Sequence, residues 1–117
     1  MPKYLLQWNF KGEALKGFME RPSDRAAVVD QAAQSLGGSL ESYYWMFGQY
    51  DGFAVVDMPS PDAAARLSLT IASSGAFTRV ERHELLTTEE VLRIVRAPGE
   101  VQYQAPGTPD MYEFGMP

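Results

Sequence analysis

Hydrophobic and polar positions alternate from the start of the chain. Over residues 3–10, Tyr4, Leu6, Trp8 and Phe10 fall on one side and Leu5, Gln7 and Asn9 on the other, the period of a strand. Residues 40–58 (LESYYWMFGQYDGFAVVDM) are rich in aromatic and β-branched residues and broken at Gly48-Gln49-Tyr50-Asp51-Gly52, which predicts two strands joined by a tight turn. Asp51-Gly52 suits the positive φ of such a turn, and Gly48 the bulge before it. Residues 76–86 supply a fourth strand, with Phe77, Arg79, Glu81, His83 and Leu85 on one side and Thr78, Val80, Arg82 and Glu84 on the other.

Between the strands the period changes. Leu15, Phe18 and Met19 predict a short helical turn that ends at Pro22. Ser23 caps a helix with Ala26, Val29, Ala33 and Leu36 on one side, and Gly37-Gly38 stops it. Ser60 and Pro61 open another, with Ala63, Ala64, Leu67 and Ile71 inward and Gly75 closing it. Thr87 and Glu90 form a capping box for a last helix over 88–96, with Val91, Leu92 and Val95 facing inward.

The order strand, helix, strand, strand, helix, strand predicts an α+β ferredoxin-like fold, βαββαβ, with a four-stranded antiparallel sheet and a short C-terminal helix. In the second strand, strict alternation puts Leu40, Ser42, Tyr44 and Met46 on one face and Glu41, Tyr43, Trp45 and Phe47 on the other. A sheet apolar on both faces with helices for only one calls for a second sheet, so a homodimer or larger homo-oligomer is expected.

At 117 residues the chain has room for one main domain, residues 1–96, followed by residues 97–117. That last stretch holds four of the eight prolines, and every charge in it is acidic. It also carries Val101, Tyr103, Met111, Tyr112 and Phe114, so it is read either as an extended arm on its own domain or on a partner subunit, or as a frayed terminus. There is no cysteine, which excludes disulfides, thiolate metal sites and cysteine nucleophiles. A net charge of −5 without a dense basic cluster argues against nucleic acid. Neither a membrane span nor a secretory signal is evident, so a cytoplasmic location is expected.

Three stretches together resemble one family: residues 35–51 (SLGGSLESYYWMFGQYD), Val56-Asp57-Met58-Pro59, and Leu86-Thr87-Thr88-Glu89-Glu90. The pattern is similar to that of the GYD-domain family, named for its Gly-x-Tyr-Asp hairpin, here Gly48 to Asp51. The resemblance implies membership of the small dimeric α/β-barrel proteins, a group that includes cofactor-free monooxygenases, haem-degrading proteins and isomerases. It marks Tyr50 and Asp51 as motif positions and brings no catalytic role with them.

Candidate chemistry is sparse. Tyr50 and Asp51 either orient a ligand at the mouth of a cavity or serve the turn, Asp51 accepting backbone hydrogen bonds. His83, the one histidine, is the one side chain whose ordinary pKa lies near neutrality, and either moves a proton or is simply hydrogen-bonded. The sequence around it is not a zinc motif, and no metal or cofactor site is expected. Trp8, Tyr43 and Trp45 supply either core and interface or the wall of an apolar pocket, with Gln7, Asn9, Glu41 and Arg79 as polar groups able to orient a ligand. No phosphate-binding glycine loop or GxSxG serine is present. The expected function is a homo-oligomeric barrel that binds a small, partly apolar molecule. The alternatives are a cofactor-independent oxygenase or isomerase using Tyr50, Asp51 and His83 on an aromatic substrate, and a structural or regulatory subunit.

Overall fold

The computed structural model describes residues 1–107. Its elements are β1 (Lys3–Phe10), α1 (Gly12–Glu20), α2 (Arg25–Ser35), β2 (Ser39–Trp45), β3 (Gly52–Asp57), α3 (Pro61–Ala72), β4 (Phe77–Leu85) and α4 (Thr88–Arg96). The strands form one antiparallel sheet in the order β2-β3-β1-β4, the ferredoxin-like arrangement expected from the element order. Residues Met1–Thr87 form one compact unit, and α4 belongs to a second that begins at Thr88.

The core of the first unit follows from the strand alternation. Tyr4, Leu6 and Trp8 of β1 and Ala54 and Val56 of β3 meet Ala33 of α2, Ala64 and Leu67 of α3, and Met58. All nine are at most 3 % exposed, and each large side chain contributes about 1.5–3 kcal/mol by leaving water. Asp24, rather than Ser23, caps α2 by accepting from the Ala27 N–H at 3.0 Å. The helix ends in a Schellman turn: Gly38 N–H donates to Ala33 C=O, Gly37 N–H to Gln34 C=O, and Gly37 takes φ +84°. Ser60 caps α3 through the Ala63 N–H, with Pro61 at its first position.

Two details of the hairpin differ from the sequence expectation. The β2–β3 connection runs from residue 46 to 51, and neither Gly48 nor Gly52 adopts positive φ. Gly52 is instead required for space, because a Cβ there would lie 2.8 Å from Cζ2 of Trp8. The bulge sits at Glu41, where the register jumps from Leu40↔Val56 to Ser42↔Val55. An extra residue reverses the alternation, so Leu40 joins Tyr43 and Trp45 on the helix side while Ser42 and Tyr44 take the other. The face away from the helices of this unit is therefore mixed, with Leu5, Tyr44, Phe53 and Val55 interspersed among polar groups.

In the second unit, Glu89 and Glu90 in the first turn of α4 and Arg93 and Arg96 in its last match the helix dipole. Val91, Leu92 and Val95, expected inward, are 42 %, 42 % and 74 % exposed, since the described part of this unit builds no core of its own. Val101 and Tyr103 are exposed as well, and Met111, Tyr112 and Phe114 lie outside the described residues.

Candidate functional site

Strand alternation gathers chemistry on the face of the sheet away from α2 and α3. Arg79, Glu81 and His83 recur at every second position of β4, and the register sets Gln7 of β1 directly beside Glu81. From the β2–β3 connection Tyr50 reaches the same group. Glu81 is the hub: it accepts from Gln7 Nε2 at 3.2 Å and Arg79 Nε at 2.8 Å, and His83 Nε2 lies 3.1 Å from Oε1. The Tyr50 hydroxyl sits 3.1 and 3.0 Å from the two carboxylate oxygens. Arg79 also donates to the Tyr50 oxygen, and its guanidinium carbon lies 4.3 Å from the centre of the Tyr50 ring.

These donors set the charge state. Hydrogen bonds from Gln7, then His83 and Arg79, with a contribution from Tyr50, pull the Glu81 carboxyl from 4.5 down to about 2. The Arg79 guanidinium is pushed up, chiefly by its hydrogen bond to Glu81. A carboxylate held so far below neutrality is a weak base, so near neutral pH Glu81 stays ionised as the acceptor at the centre of its neighbours. The His83 side chain is about half exposed, so the network opens to solvent at that ring.

At the other end of the same face Lys3 bridges Glu41 at 2.6 Å and Asp57 at 2.8 Å. Hydrogen bonds to Asp57 and then Glu41 push its amine up to about 12. All three side chains are partly exposed, and pairs of this kind contribute little to stability.

Asp51 is directed elsewhere. Its Oδ2 accepts from the Phe10 N–H at 2.8 Å, its own N–H donates to Trp8 C=O, and its C=O accepts from Met46 N–H. The carboxylate takes the place of the next rung of the β1–β3 ladder, just past the pair Trp8↔Gly52. Of the two roles open to Asp51, the hairpin role is the one its geometry fills.

Trp8, Tyr43 and Trp45 lie on the helix side. Trp8 is 3 % exposed and packs on Tyr43, ring centres 5.2 Å apart, while burial raises the Tyr43 phenol. Trp45 stands at the end of the sheet between Phe10 and Phe18. Thus the fold brings together Tyr50 and His83, with Gln7 and Arg79, and separates them from Asp51 and the three helix-side aromatics. Sequence reasoning passed over Glu81, although its alternation with Arg79 and His83 was a visible signal. Among the described residues no group of three or more His, Asp or Glu is placed to hold a metal, and no helix is long and apolar enough to cross a membrane.

Comparison with solved structures agrees with this architecture. The crystal structure of MtbAldR superposes with a TM-score of 0.53 at 11 % identity, over 90 % of this chain and 58 % of that one. The crystal structure of FFRP-DM1 aligns with a TM-score of 0.48 at 10 % identity, over 74 % of this chain and all of that one. At 11 % identity the likeness to MtbAldR shows the fold alone. No curated protein sequence gives a significant match. The GYD domain profile matches residues 4–95, which include every strand residue from Tyr4 onward and the Gly48-Gln49-Tyr50-Asp51 connection. The chain belongs to the GYD-domain family.

Proposed function

We propose that this protein is a homo-oligomeric small-molecule-binding protein in which two protomers close their mixed sheet faces on one another and hold a ligand between them. The observation that carries the reading is the network centred on Glu81, with Tyr50, Arg79, Gln7 and His83 converging beside Leu5, Phe53 and Val55. A few placed polar groups within an apolar surround are the usual anatomy of a ligand site. Closure by a second sheet would remove water and strengthen every polar contact in the network. Tyr50 and Gln7 would orient the ligand, and Asp51 would hold the connection that carries Tyr50. The exposed Val101 and Tyr103 suit the reading of residues 97–117 as an arm that reaches a partner subunit.

Native mass spectrometry of protein purified without added ligand tests this. A dimer or larger even assembly carrying a nonprotein mass is expected, and that mass is expected to be lost in Y50F and Glu81→Gln. A monomer at micromolar concentration refutes the closed barrel. An even assembly that never carries or takes up a small molecule favours the structural-subunit reading instead.

A further inference from the structure

On the opposite side of the sheet from this network lies a cleft of about 250 Å³, between α1 and the ends of β1 and β2. Its aromatic walls are Phe10, Phe18 and Trp45, with the Phe18 and Trp45 ring centres 4.9 Å apart and those of Phe10 and Trp45 5.6 Å apart. The helix contributes Ala14, Gly17 and Phe18, spaced so that all three share one face. A Cβ at Gly17 would meet no atom within 4 Å, so this face of the helix borders open space there. Two guanidiniums complete the lining, Arg21 just past the end of α1 and Arg25 at the start of α2.

Neither guanidinium is in an ion pair among the described residues, whereas Lys3 and Arg79 on the other face are both paired. Of the acidic residues next to them, Asp24 spends a carboxylate oxygen on the Ala27 N–H, and Glu20 is exposed and in no ion pair among the described residues. A protein of net charge −5 thus places two guanidiniums, neither in an ion pair among the described residues, beside the aromatic walls of one cleft. Arginine pairs with carboxylates through parallel N–H donors, and aromatic walls favour a flat apolar body. The volume lies just below the roughly 300 Å³ at which sites for drug-sized ligands begin, which limits the body to one or two rings.

We propose that this cleft binds a small aromatic carboxylic acid, its ring laid against the wall that Phe18, Trp45 and Phe10 form by packing on one another and its carboxylate on Arg21 and Arg25. The site is distinct from the network around Glu81 and does not depend on closure of the sheet faces. The test is titration of the whole protein with 3-phenylpropionate and with its neutral amide, 3-phenylpropanamide, followed by proton–nitrogen NMR of the Trp45 indole and the Arg21 and Arg25 side chains.

Saturable shifts at Trp45, affinity at least about tenfold weaker for the amide, and a comparable loss in Arg21→Gln or Arg25→Gln are expected. Gly17→Leu, which fills the cleft from a position with free space, should abolish the shifts while leaving the melting temperature unchanged or higher. Should that variant fold poorly, the exposed Arg21→Gln carries the test alone. No saturable shift up to about 10 mM acid, well beyond the millimolar range of weak sites, overturns the proposal. Equal affinity for acid and amide also overturns it. So do shifts confined to Tyr50, Gln7 and His83, which would place the ligand on the other face.

Discussion

Replacing Asp51 with alanine separates a hairpin role from a ligand-binding role. The substitution removes the acceptor of the half-buried Phe10 N–H, a charge-assisted bond of 2.8 Å at the end of the β1–β3 ladder. Bonds to charged groups contribute about 1.5–3 kcal/mol, and a donor left without a partner keeps its desolvation cost, so Asp51→Ala should destabilise by about 2 kcal/mol. For a domain of this size each kcal/mol lowers the melting temperature by roughly 4–8 °C, which gives a fall of roughly 8–16 °C. Asp51→Asn keeps an oxygen acceptor and loses only the charge, so about half that loss is expected. Urea unfolding followed by circular dichroism gives the free energies, and a thermal scan gives the shifts. If Asp51→Ala lies within about 0.5 kcal/mol of wild type, the change expected of an unimportant surface position, the bond to Phe10 is not what the motif aspartate supplies.

Two other perturbations address the remaining motif and the network. Gly52→Ala drives a Cβ to within 2.8 Å of the buried Trp8 indole and should cost about 1–3 kcal/mol, whereas Gly48→Ala meets nothing within 4 Å and should be neutral to about 0.5 kcal/mol; equal effects in urea titrations would contradict the packing argument. The folded state lowers Glu81 from 4.5 to about 2, so its stabilising contribution is complete above pH 4.5 and is lost as pH falls toward 2. Glu81→Gln should therefore flatten the decline in stability across that window, as measured by urea unfolding at a series of pH values; an unchanged acid slope would show that the carboxylate is not held by its neighbours.

Much of the fold was legible in the sequence because its signals are local. Alternation in β1, the Ser60-Pro61 start of α3 and the Gly37-Gly38 stop of α2 each rest on contacts within a few residues, and each appears in the structure. The element order then leaves few topologies for four antiparallel strands and their helices. The family is marked by three local stretches taken together, residues 35–51 with Gly48-Gln49-Tyr50-Asp51, Val56-Asp57-Met58-Pro59 and Leu86-Thr87-Thr88-Glu89-Glu90.

Tertiary structure decided which residues meet. The extra residue at Glu41 reverses which side chains of β2 face the helices, and a bulge of this kind has no signature in a run of seven strand residues. Gly52 looked like a backbone requirement and is a spatial one, imposed by Trp8 from a strand some forty residues away. Tyr50 and Asp51 are neighbours in sequence, yet one turns to Glu81 and the other to the Phe10 backbone. Register alone sets Gln7 beside Glu81 and thereby makes that glutamate the centre of the network, because a strand specifies which side its residues take and leaves their partners to the pairing of the sheet.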